Sequence, residues 1–143
     1  MEPLATGPKD NLSRTILVVD DDPDARAVLV DLLRDEGFTV AEAPNGKVAV
    51  DMMLAAATPP ALVLLDLNMP LMCGWEVIRI MSGTARLAKV PVALVTSEPP
   101  LPGFPRETVV GHLHKPYAPA DLLALVGRHV QAEPSDADAG VAA

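Results

Sequence analysis

Three short apolar runs without polar alternation recur along the chain: "TILVVD" at 15–20, "ALVLLD" at 61–66 and "VPVALVT" at 90–96. Continuous Val, Leu and Ile over so few residues suits strands buried on both faces, as in a parallel sheet. Two weaker runs, "FTVAEA" at 38–43 and "TVVGHLH" at 108–114, bring the predicted strands to five. Between them the apolar period becomes helical. Ala25, Val28, Leu29 and Leu32 follow the i, i+3, i+4, i+7 pattern, with Asp24, Arg26, Asp31 and Asp35 elsewhere on the wheel and Gly37 as a stop. Val50, Met53, Leu54 and Ala57 repeat it before Pro59 and Pro60. "GWEVIRIM" at 74–81 and "PADLLALVGRHV" at 119–130 predict two further helices, the last facing inward through Leu122, Leu125 and Val126. Strands alternating with helices imply right-handed βαβ crossovers and an open, doubly wound α/β domain.

The helical period fails once. "SEPPLPGFPRE" at 97–107 places Pro99, Pro100, Pro102 and Pro105 where a crossover helix is due. Proline removes backbone donors and restricts the residue before it, so the pattern predicts a shortened or irregular fourth crossover. Residues 1–13 and 131–143 lack apolar periodicity and are rich in small, polar and Pro residues, which predicts loose tails around one domain at 14–130.

A chain of 143 residues, half of them apolar, suits a single hydrophobic core. With 11 basic against 19 acidic residues the net charge is -8, which disfavours nonspecific attraction to nucleic acid or anionic lipid and favours a bound cation or a basic partner. Cys73 is the only cysteine, so no internal disulfide can form. No secretion signal and no apolar run near the roughly 18 residues of a membrane span is evident, so the expectation is a cytoplasmic protein with no membrane insertion and no direct nucleic acid binding.

The chemistry gathers where the apolar runs end. In open parallel sheets, ligands bind beyond the carboxyl ends of the strands, near the point where strand order reverses. Asp20 and Asp21 close the first run, Asp66 the third and Thr96 the fourth, while Lys115 follows the fifth. Adjoining strand ends would bring three carboxylates, a hydroxyl and an ammonium into one pocket. Carboxylates with waters suit a hard ion such as Mg²⁺, which in turn favours phosphoryl ligands. Asp22 precedes Pro23, a helix-start signal that predicts Asp22 as an N-cap and leaves Asp20 and Asp21 for the cation. A solvated acidic turn is the plainer account of three adjacent aspartates. The matching residues at the other strand ends favour the site.

Together these motifs resemble the receiver domains of two-component response regulators, across about residues 14–130. "VVDDD" is similar to the family's first-strand acid pair, and "LLDLNMPLMCG" to its phosphoacceptor strand and loop. "LVTSE" resembles its hydroxyl-bearing fourth strand, and "HKPY" the lysine before a proline bond that is usually cis. The resemblance implies a flavodoxin-like, five-stranded parallel sheet in the order 2-1-3-4-5. It further implies that Asp66 accepts a phosphoryl group from a histidine kinase or phosphotransfer protein. Mg²⁺ would be held by Asp21 directly, Asp20 through water, Asp66 and the Asn68 backbone carbonyl, while Thr96 and Lys115 contact the phosphoryl oxygens. Asn68 and Glu98 stand at positions that influence water attack, so self-dephosphorylation is expected. The resemblance thus implies a stand-alone signalling switch rather than a turnover enzyme, with no DNA-binding or enzymatic domain following and an unidentified downstream protein partner.

The chain departs from the family pattern at its switch residue, at its fourth helix and at Cys73, which stands where many receivers carry Asp. His112 holds the place of the aromatic switch residue three before the lysine, and the proline-rich segment replaces the fourth helix of the usual output face. An interaction module with phosphorylation-independent output is therefore an alternative. A Mg²⁺-dependent phosphatase is a third reading, disfavoured because "LDLN" lacks a second aspartate two residues after the nucleophile. His112 and His114 share one side of a strand without a further ligand cluster. Cys73 reads as an unremarkable small residue, and Trp75 and Met52, Met53, Met69, Met72 and Met81 read as packing. Gly46, Gly74 and Gly111 fit turn or cap positions.

Overall fold

In the computed structural model the described residues are 12, 14–69, 72–97 and 108–130; the expected irregular crossover at 99–105 and most of both expected tails lie outside them. Five strands, β1 (Thr15–Val19), β2 (Thr39–Ala43), β3 (Leu62–Leu65), β4 (Val92–Thr96) and β5 (Val109–His114), form one sheet in the order β2-β1-β3-β4-β5. Every pairing is parallel. The helices are α1 (Pro23–Asp35), α2 (Gly46–Ala55), α3 (Gly74–Gly83) and α4 (Pro119–Gly127). β1, β3 and β4 are central and buried at every position, which is why their sequences show no alternation. β2 and β5 are the edges and are only partly covered.

Each sheet face has its own core. Leu17, Val19, Val63, Leu65 and Leu94 pack under α2 and α3 through Met53, Ile78 and Met81. Ile16, Val18, Leu62, Leu64 and Val95 pack under α1 and α4 through Leu29, Leu33, Leu122 and Val126. Asp22 caps α1 by accepting the Asp24 N–H at 3.0 Å, and Gly37 ends that segment with φ 92°, where a side chain would be strained.

Both leading helices are rotated from their expected phase. In α1 the buried residues are Leu29, Val30 and Leu33, with Val28 55% exposed. Ala25, Val28, Leu29 and Leu32 instead line an apolar surface groove with Tyr117 and Pro119. The inward i, i+3, i+4, i+7 set begins at Arg26, which a hydropathy reading assigns to the solvent side. In α2 the inward set is Gly46, Ala49, Val50 and Met53, while Leu54 is 49% exposed. Here glycine and alanine carry half the stripe, so the apolar signal was displaced toward larger residues.

Two other expectations change. Leu12, placed in the loose N-terminal tail, is fully buried and donates its N–H to the Thr58 carbonyl at 3.0 Å, so the packed part reaches back to it. One leucine among polar neighbours carries no period to announce this. Gly111 lies inside β5 rather than at a turn, where the β4–β5 register shifts and a Cβ would stand 2.6 Å from Leu125 Cδ1.

Candidate functional site

Because β1, β3, β4 and β5 are consecutive neighbours in the sheet, the residues at their carboxyl ends are neighbours too. The ladder runs on into them: the Asp66 N–H donates to the Val19 carbonyl at 3.1 Å, and the Lys115 N–H to the Thr96 carbonyl at 3.0 Å. Asp20 and Asp66 therefore stand on either side of the point where strand order reverses. Asp20 is 1% exposed, Asp66 8% and Thr96 fully buried, whereas Asp21 is open to solvent.

Asp20, Asp21 and Asp66 each offer a carboxylate oxygen within 4.8 Å of the others. Lys115 Nζ bridges two of them, at 2.7 Å from Asp20 Oδ2 and 3.1 Å from Asp66 Oδ2. Burial works against the charge on Lys115. Hydrogen bonds and Coulombic attraction from Asp20 and Asp66 outweigh it, so its pKa is raised above the ordinary lysine value of 10.5. Burial likewise pushes the Tyr117 hydroxyl up, opposed by Lys115 and aided by Asp20. Three carboxylates and one ammonium leave two negative charges uncompensated, which a divalent cation would neutralise. All-oxygen donors with one side open to water match the preference of Mg²⁺ for a few carboxylates and several retained waters.

The carboxylates are held from the backbone. The Asp22 N–H donates to Asp20 Oδ1 at 3.0 Å, and the Asn68 N–H to Asp66 Oδ1 at 3.1 Å. The Lys115–Pro116 peptide is cis, as the resemblance implied. Gly74 lets the chain after the β3 loop return onto the site: a Cβ there would lie 2.7 Å from the Asp66 carbonyl oxygen and 2.7 Å from Leu67 Cα. Backbone cannot yield as a side-chain tip can. Gly74→Ala is expected to cost about 1–3 kcal/mol in denaturant unfolding, and an unchanged midpoint would contradict this packing.

The residues singled out from sequence do not all gather there. Asp20, Asp21, Asp66 and Lys115 meet, Thr96 ends the neighbouring strand, and Asn68 is exposed beside Asp66. Glu98 lies outside the described residues. His112 and His114 stack edge to face at 6.4 Å, and no metal-ligand cluster among the described residues includes them. The Nε2 of His112 is buried without a hydrogen-bond partner. Arg26 is the residue that sequence reasoning missed: its Nη1 donates to the Asp20 carbonyl at 2.8 Å.

Comparison with known proteins agrees with the fold. The model of the response regulator receiver domain family matches residues 16–127. Protein Rrf1 of Nitratidesulfovibrio vulgaris is 40% identical over 113 residues, covering 79% of this chain and 80% of its own. The two-component response regulator ORR11 of Oryza sativa is 31% identical over 116 residues, covering 79% of this chain and 78% of its own. Among solved structures, the chemotaxis protein CheY4 of Vibrio cholerae superposes with a TM-score of 0.71 at 27% identity, over 82% of this chain and 99% of that one.

Proposed function

Since the chain belongs to the response regulator receiver domain family, whose members are signalling switches of two-component systems, we propose that it accepts a phosphoryl group on Asp66 and thereby changes its affinity for protein partners. The donor is a phosphohistidine of a histidine kinase or phosphotransfer protein. The observation that carries this reading is the convergence of Asp20, Asp21, Asp66 and Lys115 at adjoining strand ends.

An oxygen of the Asp66 carboxylate attacks phosphorus as the P–N bond breaks, and the imidazole leaves with the bonding pair and takes a proton from solvent. Asp20, Asp21, Asp66 and the Asn68 carbonyl would hold Mg²⁺, which would supply charge neutralisation for the transferring group. Lys115, already poised between Asp20 and Asp66, turns to a phosphoryl oxygen. Thr96 hydrogen-bonds another, and its displacement is relayed to His112, two strand positions before its β5 partner His114. Asn68 and Glu98 set the rate at which water removes the phosphoryl group. The product is a stoichiometric acyl phosphate, which separates a switch from a phosphatase.

Incubation with Mg²⁺ and acetyl phosphate is expected to add one phosphate by intact mass, and a chelator to prevent it. A wild-type chain that stays unmodified would leave the phosphorylation-independent interaction module as the reading; sustained phosphomonoester turnover would favour the phosphatase. Mg²⁺ alone should also stabilise the fold by linkage, by about 2.7 kcal/mol at a hundredfold excess over its dissociation constant. Asp21→Asn is expected to raise the metal-free melting temperature, by relieving repulsion, and to remove most of the Mg²⁺ shift. A full shift in that variant would exclude Asp21 as a ligand.

A further inference from the structure

We propose that Arg26 is a positioning residue for the cation site, acting through the peptide that joins Asp20 to Asp21; this rests on the reading that those two residues hold Mg²⁺. Arg26 occupies the first place of the inward stripe of α1, ahead of Leu29, Val30 and Leu33. Its side chain is only 18% exposed, an unfavourable place for a guanidinium unless its donors are satisfied. Two of its donors are satisfied, in different directions. Nη1 donates to the Asp20 carbonyl at 2.8 Å, and Nε donates to Glu42 Oε1 on β2 at 3.1 Å.

The Asp20 carbonyl belongs to the same rigid peptide unit as the Asp21 N–H. Fixing it sets the direction in which Asp21 leaves the strand. The preceding peptide is tied to the same edge strand, because the Asp20 N–H donates to the Ala43 carbonyl at 3.3 Å. Arg26 and Ala43 thus clamp Asp20 on both sides, with Glu42 anchoring the clamp to β2. A planar fork can serve a carbonyl and a carboxylate at once; a lysine ammonium on a flexible stem is a poor substitute.

A fixed positive charge near three carboxylates would, by charge alone, oppose cation binding. Positioning and charge therefore give opposite signs when Arg26 is neutralised. The test is calorimetric titration of the full chain with Mg²⁺ and no phosphoryl donor, alongside melting temperatures and the Mg²⁺ dependence of acetyl phosphate labelling. Arg26→Lys and Arg26→Gln are both expected to weaken Mg²⁺ by about tenfold, the scale of outer-shell effects on metal affinity. The labelling rate at saturating Mg²⁺ should return toward wild type, since the ligands themselves are intact.

An unchanged Mg²⁺ dissociation constant with only a lower melting temperature overturns the proposal, leaving Arg26 a structural residue. Tighter binding in Arg26→Gln overturns it in favour of charge alone. Should both variants fail to fold, Glu42→Ala releases the guanidinium from β2 with Arg26 in place: weakened Mg²⁺ binding supports the clamp, and wild-type binding overturns it. A wild-type chain that binds no Mg²⁺ overturns the functional reading and this inference with it. Wild-type binding with unaltered variants overturns the role of Arg26 alone.

Discussion

Asp66→Asn is expected to take up no phosphate from acetyl phosphate under conditions that label the wild type fully. An amide oxygen is a far weaker nucleophile than a carboxylate, and the substitution also removes one of the three charges that attract the cation. The variant should fold with a metal-free melting temperature at or above that of the wild type, because repulsion within the acidic set falls. Intact mass reads the first effect and calorimetry the second. A phosphorylated Asp66→Asn chain would place the acceptor elsewhere.

Lys115→Met is expected to have the largest combined effect on stability and reaction. Removing the ammonium leaves Asp20, whose side chain is 2% exposed, without its closest counter-charge. A fully buried pair broken this way costs roughly 3–5 kcal/mol; with the Lys115 side chain 23% exposed, a loss on the order of 2 kcal/mol at neutral pH is expected. The pH dependence has a definite sign. Because the folded protein raises the Lys115 pKa above 10.5, its contribution is whole below that value and is lost as pH rises through the folded value. In Lys115→Met that alkaline loss should disappear. Labelling by acetyl phosphate should slow by about 10²-fold, the scale of removing one preorganised charge-stabilising donor. Denaturant unfolding across pH checks the first claim, and an alkaline loss that persists in Lys115→Met would contradict the assignment of the pair.

The fold was legible because its strongest signals are of the kind that burial imposes. Uninterrupted runs at 15–20, 61–66 and 90–96 become the three central strands, covered on both faces, and strand-end residues at 20, 66, 96 and 115 become neighbours once the order is 2-1-3-4-5. Helix phase was read less well. Hydropathy marked Val28 and Leu54 as inward, whereas the helices turn Arg26 and Gly46 that way: Arg26 places two of its donors on Asp20 and Glu42, and Gly46 allows close approach to Met72 and Val77. A charged residue with backbone partners and a residue with no side chain both defeat an apolar count. At the site, residue types announced the carboxylates and the lysine. What holds them, the N–H groups of Asp22 and Asn68 and the guanidinium of Arg26, is backbone direction and long-range reach, which no local pattern encodes.

The central claim is that the acid at the end of β3 carries the phosphoryl group. Borohydride reduces an acyl phosphate to an alcohol, so treating the labelled protein and sequencing its peptides by fragmentation locates the acceptor. The account predicts homoserine at position 66 and unchanged aspartates at 20 and 21. Reduction at either of those positions, or a phosphate that survives borohydride on a serine, threonine or histidine, would contradict it.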